Sequence, residues 1–260
     1  MSDGCGGDAE MKMLSLFSGI GGIDLAAKWA GIETVAFCEI EPFCQKVLKK
    51  HWPNVPIFED VKKLGKEALE DAGIGRVDIV AGGYPCQPYS LAGERKGHED
   101  DRALWPEMFR IISEVRPDWV IGENVAGHVS LGLDNTLSDL ESIGYSCQTF
   151  IIPARAVGAV HSRERIFIVA NSSVQPMPQK NKEIGSFGTI GKAWGCITSS
   201  RGTLLSRVDR EIFRPRVVRR DNGVSNRVDR CRALGNAVVP QQIYPIFAAI
   251  AEIERCKDAI

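Results

Sequence analysis

From Met13 to Ala170, apolar runs of strand length alternate with longer segments whose apolar residues recur at helical spacing. MLSLF, TVAFCE, VDIVAGG, WVIGEN, QTFIIP and RIFIVA are short, and most are rich in β-branched or aromatic residues, a pattern that predicts strands. Between them, IDLAAKWA, PFCQKVLKKHW, LGKEALEDA, LWPEMFRIISEV and LDNTLSDLESIG predict helices, several of them closed by glycine. Strands that alternate with helices build a mostly parallel sheet covered on both faces, the α/β class. Such sheets bind ligands in the crevice beyond the carboxyl ends of their strands, so the residues just after each apolar run matter most.

Composition narrows the setting. The 260 residues are 44% hydrophobic and 25% charged, as in an ordinary globular chain. No apolar run approaches the roughly 18 residues of a membrane span, and the N-terminal MSDGCGGDAE has no leader-like character, so a cytoplasmic location is expected. The 8 cysteines show no C-x2-C spacing and are too sparse for a disulfide scaffold, so no metal site is expected. The formal net charge of −1 hides an asymmetry: Asn171 to Arg232 carries 13 Lys and Arg against 5 Asp and Glu, leaving −9 for the rest. A basic segment on an acidic body is consistent with a polyanion-binding surface, and equally with a solvated insertion. After it, QQIYPIFAAIAEIER predicts an amphipathic helix that packs back on the body.

FSGIGG, Phe17 to Gly22, lies between the first strand and the first helix, where glycines permit a tight turn and close backbone approach to a ligand. The second strand ends in Glu39, 17 positions after Gly22, where an acid can accept hydrogen bonds from ribose hydroxyls. Asp60 ends the short extended stretch PIFED, within reach of an adenine amino group. Each acid alone reads as a cap or surface charge; together they outline a nucleoside pocket, though the glycine run differs from the dinucleotide GxGxxG pattern. In GGYPCQPYS, Cys86 sits in a loop between Pro85 and Pro88, which restrict the backbone and lower the entropy lost on fixing it. One strand later, WVIGEN ends in Glu123 and Asn124, close enough in the sheet for a thiol and a carboxyl to flank one small planar substrate. In HSRERIF, Arg163 and Arg165 alternate at the start of a strand and so share a face.

FSGIGG, GGYPCQPYS, ENV, HSRERIFIVA and RALGNAVVPQ occur in the order and rough spacing of the C5-cytosine DNA methyltransferases, bacterial and phage type, and the chain resembles that family over Met13 to Ala170 and again over Arg227 to Ile250. The resemblance implies a Rossmann-like fold that binds S-adenosylmethionine through Phe17, Ser18, Gly19, Ile20, Gly21, Gly22, Glu39, Ile40, Asp60, Val61 and Pro85, joined by Asn236 and Val238. It implies that Cys86 adds to C6 of cytosine, that Glu123 hydrogen-bonds N3 and the exocyclic amine, and that Arg163 and Arg165 steady base and thiolate. Gln87, Ser90, Arg95 and Lys96 would meet duplex DNA.

By the same resemblance the chain divides into a catalytic and cofactor-binding body (1–170), a small irregular target-recognition segment (171–226) and a returning segment (227–260). The middle segment is short for the family, and His161 stands where the family more often has Gln. The implied activity is methyl transfer to C5 of a flipped-out cytosine in DNA by a monomer, with a restriction endonuclease as a possible companion. Two alternatives stay open: the same chemistry on transfer RNA, or a cofactor- and DNA-binding module with little turnover.

Overall fold

The computed structural model describes residues 10–85, 104–130, 132–172 and 227–258. The apolar runs become β1 (Lys12–Leu16), β2 (Glu33–Cys38), β3 (Ile57–Phe58), β4 (Ile79–Gly82), β5 (Trp119–Val125), β6 (Ser146–Pro153) and β7 (Glu164–Asn171). The periodic segments become α1 (Gly22–Trp29), α2 (Pro42–His51), α3 (Lys66–Asp71), α4 (Trp105–Val115) and α5 (Leu133–Ser142), followed after the basic stretch by α6 (Arg227–Asn236) and α7 (Pro240–Asp258). Local chemistry marks several ends. Pro42 opens α2, where its missing N–H is no loss, and Lys49, Lys50 and His51 sit at the negative end of the helix dipole.

One seven-stranded sheet results, in the order β3-β2-β1-β4-β5-β7-β6. β1 to β5 pair in parallel, as the strand–helix alternation predicts. β7 instead runs antiparallel between β5 and β6. The reason is the connection: β6 reaches β7 through a short 3-10 turn, Ala154–Val157, with no α-helix to carry a parallel crossover.

Successive strand residues feed opposite layers. Leu14, Val80, Val120 and Ile168 pack with Leu69, Met108, Ile112 and Leu140 beneath α3, α4 and α5. Met13, Ile79, Ile121 and Phe167 pack on the other face with Ile23 and Ala27 of α1 and Ile243, Phe247 and Ile250 of α7. The predicted C-terminal helix therefore does return to the body, covering α1 and the sheet. Among the described residues no helix is long and apolar enough to cross a membrane, and no cluster of three or more His, Cys, Asp or Glu could hold a metal ion.

Candidate active site

The chain reverses direction across the sheet between β1 and β4, and the crevice at the carboxyl ends of these strands is where an open α/β sheet holds its ligand. A cleft of ≈ 690 Å³ opens there, lined among others by Phe17, Gly19, Glu39, Ile40, Asp60, Val61, Pro85 and Asn236. These eight come from the ends of β1, β2, β3 and β4 and from α6, brought together from more than 200 positions of sequence.

Glu39 organises the mouth of the β1 turn. Its carboxylate accepts the Gly19 N–H at 2.6 Å and the Glu41 N–H at 2.8 Å, bracing the turn that follows β1 against the end of β2. Asp60 accepts the Lys62 N–H at 2.9 Å, closing its own turn beyond β3. Phe17 (φ 53) and Gly19 (φ 56) both adopt left-handed backbone, which folds the turn back over β1.

The other glycine-loop positions build rather than line the cleft. The Ser18 hydroxyl donates to the Ser15 carbonyl at 3.0 Å. A Cβ on Gly21 (φ 81) would stand 2.7 Å from the Trp52 ring, and one on Gly22 would stand 2.6 Å from the Val238 carbonyl oxygen. Ile20 lies in the turn, half-buried. Val238 packs with the α1–α7 core.

Beside the cleft, Glu123 at the end of β5 is 8% exposed and forms an ion pair with Arg165, Oε1 to Nε 2.8 Å. The register explains the pair: Arg165 lies opposite Val125, diagonal to Glu123 on the same face. Burial raises the Glu123 carboxyl above its usual range, opposed by the positive charges of Arg165 and Arg163. A Cβ on Gly83 would come within 2.9 Å of Glu123 Oε2, so glycine is what lets the carboxyl approach the β4 loop. Asn124 donates from Nδ2 to the Tyr84 carbonyl at 3.3 Å. The Tyr84 hydroxyl lies 2.9 Å from Nε2 of buried His128, and Pro85 follows it at the cleft wall.

Arg163 and Arg165 sit differently. Arg165 is in β7; Arg163 precedes it with φ 23 and donates from Nη2 to the Ala237 carbonyl at 2.7 Å. Its pKa is lowered, first by burial and then by Arg165, with Glu123 opposing. Cys38 and Cys44 also line the cleft, but burial and then the Glu39 charge push them up to about 12 and about 11. Both are therefore protonated and inert near neutral pH. Cys86, Gln87, Ser90, Arg95, Lys96 and nearly all of the segment 171–226 lie outside the described residues.

Sequence reasoning passed over several contributors. Glu41 and Arg232 both line the cleft and meet across it, Oε1 to Nη2 3.2 Å, although they are far apart in the chain and no local pattern links them. Gly83 was part of a conspicuous motif, but only the fold shows what its missing side chain makes room for.

Fold and site together define a methyltransferase-like α/β protein with a nucleoside-sized cleft beside a buried acid–arginine pair. The family profile described as C-5 cytosine-specific DNA methylase matches residues 11–196, and the chain belongs to that family. Its relatives include the Type II methyltransferase M2.BsuMI of Bacillus subtilis, 34% identical over 64% of this chain and 43% of that protein. M.AquIA of Picosynechococcus is 32% identical over 62% of this chain and 72% of its own length. M1.ScrFI of Lactococcus lactis is 35% identical over 70% and 49%. The matched region thus spans less than half of two of these three relatives. Among solved structures, a Spodoptera frugiperda DNMT2 variant superposes with a TM-score of 0.54 at 25% identity, covering 67% of this chain and 54% of that one. A putative DNA modification methyltransferase of an Escherichia coli prophage gives 0.53 at 22%, covering 70% and 54%, a likeness of fold.

Proposed function

We propose that the protein transfers a methyl group from S-adenosylmethionine to C5 of a cytosine in duplex DNA. The observation that carries this reading is Glu123: a buried carboxyl with a raised pKa, held by an arginine at the edge of a nucleoside-sized cleft, beside the loop that leads to Cys86.

The cleft fits the cofactor chemically. Its volume lies in the roughly 300–1,000 Å³ range of small-molecule sites. Phe17, Ile40 and Val61 offer apolar surface to a base, while Glu39 and Asp60 offer acceptors to hydroxyl and amino groups. S-adenosylmethionine bound there supplies an electrophilic methyl group carried on a sulfonium.

Carbon 5 of cytosine is too poor a nucleophile to accept that methyl unaided. In this reading the Cys86 thiolate forms a bond to C6, and the displaced π electrons make C5 electron-rich. Glu123, in its protonated form, donates to N3 and absorbs the charge that develops on the ring. Arg165 fixes the Glu123 carboxyl, and Arg163 adds positive charge that favours the thiolate. After methylation, loss of the C5 proton and release of the Cys86 sulfur restore the aromatic ring. The base must leave the duplex to reach these groups, at a cost of a few kcal/mol. The basic segment 171–226 is proposed as the part that reads the target and grips phosphates, its positive charge complementing the backbone.

Duplex DNA carrying 5-fluorocytosine tests the scheme, because fluorine at C5 cannot leave as a proton does and the adduct is trapped. The expected result is a denaturation-resistant protein–DNA adduct that forms with the cofactor and disappears in Cys86→Ala. Methyl transfer by Cys86→Ala at the native rate would sink the scheme. Transfer RNA in place of DNA, run in parallel, separates the two nucleic-acid substrates.

A further inference from the structure

The strand-end arginine Arg163 is gripped from two directions by one short segment. Gln242, in the first turn of α7, is fully buried. Its Nε2 donates to the Ile152 carbonyl at 2.6 Å and to the Arg163 carbonyl at 3.0 Å. Those carbonyls lie where the β6–β7 ladder stops: Pro153–Glu164 is its last pair, and the Ala154 N–H turns to the Ser162 carbonyl. In the other direction, the Arg163 guanidinium donates to the Ala237 carbonyl, just beyond the end of α6. Residues 237–242 therefore hold both the main chain and the side chain of Arg163.

The grip matters because Arg163 is held off its preferred backbone. At φ 23 a non-glycine residue is strained, and it keeps such a conformation only where its surroundings impose it. Its Nε is buried without a hydrogen-bond partner among the described residues, so the side chain has little else to anchor it. The two N–H bonds of the Gln242 amide match the two acceptors, one each for the Ile152 and Arg163 carbonyls, which a hydrocarbon side chain could not serve. The amide oxygen of Gln242 is itself buried without a partner among the described residues, so what the nitrogen donates to fixes its place.

We propose that Gln242 is a positioning residue for methyl transfer: its amide clamps the strained Arg163 backbone so that the guanidinium stays beside Glu123 and Arg165. Removing the amide takes the Gln242 donor from both carbonyls and leaves the Arg163 carbonyl only the long 3.3 Å bond from the Ala154 N–H. Residue 163 then relaxes toward ordinary φ and swings its charge away from the base site. The segment after the basic stretch thereby governs an active-site charge on the body. The proposal rests on reading Arg163 as a group that steadies base and thiolate.

The test compares the native protein with Gln242→Leu, in native and Arg163→Lys backgrounds, by single-turnover methyl transfer and by the Nε–H resonance of Arg163 in protein labelled with 15N-arginine. Gln242→Leu is expected to lower kcat at least about tenfold with the cofactor KM within about twofold, and to expose the Arg163 Nε–H to rapid exchange. In the Arg163→Lys background the same change is expected to add little, since it acts through a group already lost. A folded Gln242→Leu protein with native kcat, or one whose fold-loss is equal in both backgrounds, overturns the proposal. Should Gln242→Leu fail to fold, Gln242→Asn takes its place under the same criteria, because it keeps the amide but falls one methylene short. If the native protein methylates neither DNA nor RNA, the functional reading falls, and the resonance alone decides the clamp: lost protection supports it, retained protection overturns it.

Discussion

Replacing Arg165 by Met would leave the Glu123 carboxyl buried without its nearest counter-charge. Breaking a buried pair from one side costs about 3 kcal/mol when the remaining group stays charged. Burial already raises the folded pKa of Glu123 above 4.5, so stability from this group is intact below the unfolded pKa and falls as pH rises through the folded one. Loss of Arg165 lifts the folded pKa further. Urea unfolding of Arg165→Met should therefore show a large deficit at about pH 8 and a small one at about pH 4.5. Equal deficits at the two pH values would mean the pair is not what stabilises the strand ends. The residue types at this site were legible in ENV and HSRERIF. Their division of labour was not: only Arg165 pairs with Glu123, because the strand begins after Arg163 and the latter's backbone turns left-handed.

Helices and loops meet through positions that tolerate no side chain. At Gly22, the first residue of α1, an added Cβ would stand 2.6 Å from a main-chain carbonyl oxygen of the segment joining α6 to α7, and backbone cannot rotate away as a side chain can. Gly22→Ala should push that segment outward, carrying with it Asn236 and Ala237 of the cleft wall. The expected loss is about 1–3 kcal/mol of stability, typical of overpacking. Cofactor affinity, read by titration calorimetry, should weaken roughly tenfold or more, equivalent to about 1.4 kcal/mol. Unaltered affinity would show that the cleft does not depend on this contact. The periodic segments announced α1 to α5 and α7, whose apolar stripes face the sheet. α6 carries no such stripe: RVDRCRALGN is polar over most of its surface, and it lies where Asp229, Arg232, Ala233 and Asn236 line the cleft.

Across the whole molecule, α7 is a structural wall rather than an appendage. Ile243, Ile246, Phe247 and Ile250 are each 1% exposed or less and cover one layer of the core. At about 1.5–3 kcal/mol per buried apolar side chain, these four alone are worth on the order of 6–12 kcal/mol, comparable to the stability of a typical domain. A chain ending before Arg227 should therefore bind an apolar dye and unfold without a sharp transition; a cooperative melt like that of the full chain would refute this account. The alternation of strand and helix, the crevice edge and the glycine, cysteine and acid motifs were determined by sequence alone, since each depends on the periodicity or identity of nearby residues. Tertiary structure decided the antiparallel entry of β7, the ion pair of Glu123 with Arg165, the opening that Gly83 leaves for the carboxyl, and the hold of Gln242 and Ala237 on Arg163. These join residues tens of positions apart, up to 79 between Gln242 and Arg163, and such contacts exist only once packing has brought the strand ends together.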